Sequence, residues 1–170
     1  MKNMHATNYQ IRKAKRGDEQ AIHDVHMYSI MNVCIHEHGK EEVAGWGQRP
    51  FDQQKWANAI DKHCVWVVED QVMDAIKGMA CLILNKEESY ANLAALYFHP
   101  DIIGMGFGRE MMEIMTKVCK ESLINTIKMD SSLTALGFYK KMGFKEMGPL
   151  VKEEIGGSMV SGIPMQRVIE

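Results

Sequence analysis

Residues 96–109 read Leu96-Tyr97-Phe98-His99-Pro100-Asp101-Ile102-Ile103-Gly104-Met105-Gly106-Phe107-Gly108-Arg109. An apolar run stops at a proline, three glycines alternate, and a pattern with helical spacing begins. Such a turn places several backbone N–H groups at a helix N-terminus with no β-carbons in the way, which suits a pyrophosphate. The dinucleotide fingerprint is not met, because Arg109 replaces its third glycine, and the Lys-Ser/Thr ending of a P-loop is missing. The alternating glycines alone are equally compatible with a purely structural turn.

The patterns around this turn predict a mixed α/β (α+β) fold. Strands are predicted at 9–14, 64–68, 79–84, 93–98, 124–129, 144–147 and 163–168, with turns at Gly78 and at 85–88. Helices are predicted after a cap at Asp18, at 52–60, from Gly108 to Cys119, and at 132–141. Residues 33–50 are interpreted as a loop, with a broken second helix as the alternative. The length of 170 residues predicts a single domain over 1–170.

Composition excludes several functional classes. The net charge is −2, and the short basic run 12–16 is followed at once by two acids, so a nucleic-acid-binding surface is not expected. No apolar run reaches the length of a membrane span, and residues 1–5 do not begin a secretion signal. The four cysteines are far apart, so we expect a cytoplasmic protein with reduced thiols.

The strand, the His99-Pro100 pair and the Gly-x-Gly-x-Gly turn into a helix together resemble the acetyl-coenzyme A loop of the GNAT superfamily of N-acetyltransferases. A second segment, Ser132 to Lys145, reads SLTALGFYKKMGFK and is similar to that superfamily's A-x-x-F-Y-x-x-x-G-F signature. The resemblance spans about Tyr9 to Val168 and implies a mostly antiparallel central sheet flanked by helices. Ile103 departs from it, because family members usually carry Arg or Gln just before the first glycine.

The resemblance implies acetyl-coenzyme A as the co-substrate, with no metal, and assigns roles to individual residues. Tyr97 and Phe98 would offer backbone groups to the pantetheine arm, and Ser132 would lie near its end. The loop that holds the pyrophosphate would consist of Ile103, Gly104, Met105, Gly106, Phe107, Gly108 and Arg109. Tyr139 would be the general acid that protonates the departing thiolate. The alternative for Tyr139 is simple core packing beside Phe138 and Phe144.

The acceptor side is less defined. An alkylamine is mostly protonated at neutral pH, so a base or a water relay is useful. The resemblance implies a carboxylate base on the strand before the loop, where this chain has Asn92. Weaker candidates are Glu87, Glu88, His99 and Asp101, and we favour water-mediated or substrate-assisted deprotonation. The aromatic residues Tyr28, Trp46, Phe51 and Trp56 either line an acceptor pocket or pack in the core. The acceptor could be a polyamine, an aminoglycoside, an amino acid, a peptide N-terminus or a lysine.

These observations favour an enzyme that passes the acetyl group directly to an amine. None of the four cysteines is expected in the site, which argues against an acyl-enzyme. The alternative is a non-catalytic acetyl-coenzyme A sensor, and an NAD-binding oxidoreductase ranks third. His36 and His38 lack a third ligand at a standard spacing, so no metal site is predicted. Closing strands in the resembled family often pair between subunits, so a homodimer is a further expectation.

Overall fold

The computed structural model describes residues 8–170, built around one eight-stranded sheet. The strands are β1 (Tyr9–Lys13), β2 (Cys64–Asp70), β3 (Ala75–Asn85), β4 (Tyr90–Phe98), β5 (Thr126–Ser131), β6 (Lys145–Glu146), β7 (Val151–Ile155) and β8 (Ser158–Val168). The helices are α1 (Glu19–Ser29), α2 (Ile35–Trp46), α3 (Gln53–Lys62), α4 (Phe107–Glu121) and α5 (Leu136–Lys141). A π-helical turn, Ile30–Cys34, joins α1 to α2. Residues 1–5, where no secretion signal is expected, lie outside the described part of the chain.

The sheet has the order β1-β2-β3-β4-β5-β8-β6, with β7 paired to β8. Every neighbouring pair is antiparallel except β4 and β5. The predicted mixed fold with a mostly antiparallel sheet and flanking helices is therefore confirmed. Within residues 8–170, no helix is long and apolar enough to span a bilayer.

Both faces of the sheet are buried under helices. Alternate side chains of β2 point to opposite faces, so Trp66 and Val68 join one core cluster and Val65 and Val67 join another. The first cluster packs against α4, whose buried methionines share one face at helical spacing. The second packs against α1 and α3. Because helices cover both faces, β2 is apolar from Cys64 to Val68 and does not alternate with polar residues there.

The feature that positions the site is a separation between β4 and β5. The two strands pair only from Tyr90↔Thr126 to Asn92↔Lys128. Beyond that point β4 runs on to Phe98 and β5 to Ser131 without pairing to each other. The register between β3 and β4 also shifts here, which leaves Ala94 as an unpaired bulge residue. An open cleft results in the middle of the sheet.

The interpretation of residues 33–50 as a loop is wrong, and the broken helix that was its alternative is what the structure contains. Gly39 (φ 80°) interrupts α2 without ending it. The later glycines allow close packing: a β-carbon on Gly47 would lie 2.7 Å from the sulfur of Met31. Glycine is needed there because two elements are in close contact, and local sequence propensities carry no information about such a contact.

Other boundaries also differ. The turn predicted at Gly78 is wrong, because this residue lies inside β3. Glycine is needed at this position in the strand because a β-carbon would lie 2.6 Å from the ring of Phe98. Strand β7 was not predicted, since its residues are mostly exposed and charged. Helix α5 begins at Leu136 and not at Ser132. Asp18 does not cap α1 through its side chain, because its carboxylate accepts hydrogen bonds from Arg12 and the Lys15 amide.

Substituting Gly45 by alanine should destabilise the fold. A β-carbon at Gly45 would meet the backbone carbonyl of Gly156 and would lie 2.6 Å from Ser158 Oγ, which itself accepts from the Gly45 amide. Because a backbone group must move, we expect a loss of about 1–3 kcal/mol, measured by denaturant unfolding. Gly137→Ala is the control, since Gly137 is helical with nothing within 4 Å of the added carbon. Equal stability of the two variants would contradict this packing.

Candidate functional site

A groove of about 560 Å³, here called the splay groove, opens where β4 leaves β5. Its walls come from the end of β4, the glycine turn, the starts of α4 and α5, and the turn before α2. The predicted site residues that line it are Tyr97, Phe98, Ile103, Gly104, Gly106, Phe107, Gly108, Arg109, Ser132 and Tyr139. The exception among the predicted residues is Met105, which packs against the core cluster instead. The structure thus brings ten of the eleven together.

The glycine turn offers unused hydrogen-bond donors. Gly104 (φ 82°) and Gly106 (φ 93°) adopt the left-handed conformation that favours glycine. No side chain caps α4. Within residues 8–170, the amides without a partner here are those of Gly104, Gly106, Phe107, Gly108 and Arg109. These donors meet the positive end of the α4 dipole, so the turn is suited to an anion.

Gly108, the third glycine of the turn, is needed for a different reason. A β-carbon on Gly108 would lie 2.9 Å from the ring of Phe138, which α5 packs against the start of α4. Gly108 therefore permits the contact between the two helices that form the groove wall. Ile103, the departure from the family pattern, is exposed and contributes no charge.

Basic side chains continue from the glycine turn along α4. Arg109 and Lys141 line both the splay groove and an adjoining cavity of about 460 Å³. That cavity also carries Lys117, Lys120 and Arg167, against one acid, Glu113. The glycine turn thus lies next to an excess of positive charge.

Tyr139 has a core-packed ring and a hydroxyl that is free to donate, so its surroundings are compatible with both of the roles that the sequence left as alternatives. Its ring is buried, with edge contacts to Phe138 (5.2 Å between centroids) and Phe144 (5.4 Å). Its hydroxyl has no hydrogen-bond partner within residues 8–170, and the side chain lines the splay groove. Burial raises the pKa of Tyr139, so the phenol stays protonated through the neutral range. A fixed, protonated hydroxyl can act as a proton donor.

Cys34 corrects one expectation. No cysteine was expected in the site, but Cys34 lines the splay groove beside Tyr97 and Tyr139. Burial raises the pKa of its thiol to about 11. A thiol with that pKa is almost fully protonated at neutral pH and is a poor nucleophile. The argument against an acyl-enzyme therefore rests on the protonation state of Cys34, and no longer on distance.

A second, smaller cavity of about 280 Å³, here called the strand cavity, lies on the other side of the cleft. It shares Tyr97 and Ser132 with the splay groove. Asn92 lines it from β4, and the acids that line it are Asp130 and Glu153, both exposed. Two ligands bound in these spaces would therefore meet at Tyr97 and Ser132.

Most of the other residues considered for the acceptor side lie outside both cavities. His99 stacks on Tyr28 (4.7 Å between centroids) and accepts from the Asp101 amide, away from both cavities. Glu87 and Glu88 line neither. Trp46 does line the strand cavity. Trp56 and Phe51 pack around His23.

Residues 34–168 match the acetyltransferase (GNAT) domain family. The chain belongs to the GNAT acetyltransferase family. Peptidyl-lysine N-acetyltransferase YjaB of Salmonella typhimurium is 27% identical over 128 residues, which are 71% of this chain and 86% of the relative. A GCN5-related N-acetyltransferase structure from Rhodopseudomonas palustris has a TM-score of 0.81 at 17% identity, over 95% and 96% of the two chains. The PaiA N-acetyltransferase from Thermoplasma acidophilum, in complex with coenzyme A, has 0.73 at 20% identity, over 94% and 98%.

Sequence reasoning missed two residues of this GNAT domain, His26 and Arg49. Both line the strand cavity. His26 is buried on α1, with its ring 4.3 Å from that of Tyr97, and Arg49 follows α2. Their elements are far from the glycine turn in sequence and meet it only in the folded sheet. The one sequence signal was the aromatic-rich irregular region that contains Arg49.

His38 has a structural role in the GNAT domain. Its Nε2 accepts from the Leu133 amide at 3.0 Å, which leaves Nδ1–H to donate to Glu42 at 2.6 Å. Glu42 also accepts from the amide and hydroxyl of Ser161. This chain of bonds ties α2 to β8 and to the turn before α5, the walls of the two cavities. Both ring nitrogens of His38 are therefore already engaged.

Replacing Glu42 by glutamine should lower stability at neutral pH and not at acid pH. Burial alone would raise the pKa of Glu42, but the hydrogen bonds from Ser161 and His38 outweigh it, so the pKa is lowered from 4.5. A lowered carboxyl pKa contributes stability above the unfolded value, and that contribution is lost as pH falls through the folded value. We expect a loss of about 1–2 kcal/mol at pH 7 by denaturant unfolding.

The control is Glu41→Gln, the same change on an exposed neighbour. The Glu42→Gln and wild-type stabilities should converge as pH falls below 4.5. A difference that stays constant from pH 7 to acid would show that the carboxylate charge is not the cause.

Proposed function

We propose that the protein transfers the acetyl group of acetyl-coenzyme A to an amine. The observation that carries the proposal is the meeting of the splay groove and the strand cavity at Tyr97 and Ser132. One space has an anion-binding turn at its far end, and the other has polar walls and no such turn. Two reactants held in this way would be in register for a direct transfer.

The residues of the splay groove fit coenzyme A. The free amides from Gly104 to Arg109 would hold the pyrophosphate, and the basic side chains along α4 would neutralise the remaining phosphate. Beyond Asn92, the edge of β4 that faces β5 is unpaired, which leaves backbone groups free for the amide-rich pantetheine arm. Bound there, the co-substrate supplies an acetyl thioester. The Ile103 departure does not weaken this fit, because the donors are backbone groups.

Tyr139 is proposed as the proton donor. During transfer the amine nitrogen forms a bond to the acetyl carbon, and the bond from that carbon to sulfur breaks. The hydroxyl of Tyr139 gives its proton to the departing sulfur and recovers one from the amine through water. Tyr97 and Phe98 position the donor through their backbone, and Ser132, whose Oγ accepts from the Ala135 amide, borders both spaces.

Deprotonation of the amine is assigned to water or to the substrate itself. Strand β4 carries no carboxylate, and the acids of the strand cavity are exposed. The peptidyl-lysine relative makes a lysine side chain one acceptor class to test, beside polyamines, amino acids and aminoglycosides.

The test combines calorimetry with a thiol-release assay. We expect saturable binding of coenzyme A, and free thiol when acetyl-coenzyme A and a suitable amine are both present. Absence of coenzyme A binding at millimolar ligand would overturn the assignment. Saturable binding with no thiol release from any amine would instead support a non-catalytic acetyl-coenzyme A sensor.

A further inference from the structure

Arg49 is a half-buried cation without an acidic partner. None of the ion pairs formed by residues 8–170 includes it. Its only hydrogen bond within those residues runs from Nε to the Trp46 carbonyl, at 2.9 Å. The two terminal nitrogens of the guanidinium are therefore free. Burial lowers the pKa of Arg49, which reflects the cost of holding its charge there.

Arg49 borders two neighbouring cavities. Arg49 lines the strand cavity and also a cavity of about 690 Å³ beside α3, here called the helix cavity. The aliphatic stem of Arg49 passes Gly156, where an added β-carbon would lie 2.9 Å from Cγ. The stem of Arg49 therefore packs against the β7–β8 turn.

A second unpartnered group lies in the same place. His26 lines both cavities, is 7% exposed, and has no hydrogen-bond partner for Nδ1 within residues 8–170. Burial, together with the charge of Arg49, keeps the pKa of His26 well below its usual range, so its imidazole is neutral. A buried polar atom without a partner is costly and is expected where a ligand completes it.

The surrounding charges select the ligand. The helix cavity adds Lys55 and Lys62, against Asp52, whose carboxylate already caps α3. A polyamine would meet repulsion on this side. At the open side of the strand cavity lie the exposed acids Asp130 and Glu153, which disfavour a doubly charged phosphate more than a singly charged carboxylate.

We propose that the acceptor is a small amine that also carries a carboxylate, and that Arg49 binds this carboxylate while His26 accepts a hydrogen bond from the bound acceptor. The inference rests on the proposed transferase function and names its substrate class. The planar guanidinium with free terminal nitrogens matches a carboxylate in two-point contact. The strand cavity has a volume of about 280 Å³, which is enough to hold a whole amino acid.

The test is thiol release from acetyl-coenzyme A with a paired panel. Each common L-amino acid is compared with its α-amide, alongside spermidine, a lysine peptide with both ends blocked, and O-phosphoethanolamine. For the best amino acid, wild type should show kcat/KM about tenfold or more above that of the amide. Arg49→Gln should abolish this preference, chiefly by raising KM for the acid about 10- to 100-fold. Arg49→Lys should retain part of it.

The matched control is Lys40→Gln, which removes an exposed cation of α2 that lines neither cavity. It should leave the preference for the acid unchanged. Binding of coenzyme A, by calorimetry, should be the same in all three variants. Arg49→Gln loses one hydrogen bond, from Nε to the Trp46 carbonyl, and no internal ion pair, so its melting temperature should fall by no more than about 4 °C.

The outcomes separate the two proposals. Failure of every amine to release thiol would overturn the transferase function, and this inference with it. Turnover of spermidine, the blocked lysine peptide or the amides in preference to the acids would leave the function standing and overturn the inference. A preference for O-phosphoethanolamine over every amino acid would overturn the proposal that the acceptor carries a carboxylate. Equal losses for acid and amide in Arg49→Gln would show a structural role instead.

Discussion

Tyr139→Phe is expected to lower thiol release at saturating substrates by about 100-fold, the lower end of what a positioned general acid contributes. The ring contacts with Phe138 and Phe144 are retained in this variant, and the hydroxyl makes no bond within residues 8–170 that would be lost. Affinity for coenzyme A and thermal stability should therefore stay close to wild type. Only the proton delivered to sulfur is removed.

The control for this prediction is Tyr97→Phe. Tyr97 is also a tyrosine of the cleft with a raised pKa, and burial is again the main cause. If Tyr139 alone is the acid, Tyr97→Phe should change turnover by no more than about threefold. A large fall in Tyr97→Phe with little change in Tyr139→Phe would transfer the role to Tyr97. Both effects should be measured at several pH values between 6 and 9, where neither phenol titrates.

Gly106→Val is expected to weaken coenzyme A binding by about 100-fold or more. Gly106 has a φ of 93°, so a β-branched residue would force the turn to a new conformation and move amides that now point together. Losing two charge-assisted hydrogen bonds costs roughly 3 kcal/mol, which corresponds to about two orders of magnitude in the dissociation constant. Calorimetry with coenzyme A measures this directly.

Gly17→Val provides the matched control. Gly17 also has a positive φ (103°) and open space around its α-carbon, but it lies between β1 and α1. Both variants carry the same kind of backbone strain, so their losses of thermal stability should be similar. Only Gly106→Val should lose coenzyme A. Undiminished affinity in Gly106→Val would mean that the amides of this turn do not bind the pyrophosphate.

From the sequence alone, the elements that surround the glycine turn could be predicted. The turn, α4 and the strands β2 to β5 follow local rules: period-two alternation or apolar runs in strands, helical spacing in α4, and glycines where φ is positive. These rules held because the signals are carried by neighbouring residues. Most residues of the proposed coenzyme A site could therefore be predicted before the fold was known.

The acceptor side could not be predicted, because its determinants are tertiary. Helix α2 contains Gly39 and Gly45 and ends before Gly47, a pattern that suggests a loop. Gly45 and Gly47 are instead required for close contacts with the β7–β8 turn and Met31. Strand β7 is charged and exposed and forms only as the partner of β8. Arg49 and His26 become neighbours through this packing, and no sequence spacing relates them.

The turn that we propose for the pyrophosphate is made of main-chain donors, and this has a consequence for how the protein can diverge. Peptide amides are the same in every sequence, so the proposed recognition of coenzyme A would persist while the side chains around the turn change, as Ile103 illustrates. The opposite wall consists of side chains from α1, α2 and the hairpin, where one exchange alters charge and shape. Under the proposed function, descendants of this scaffold would adopt new acceptors by a few replacements on that wall while they keep acetyl-coenzyme A as the acetyl donor.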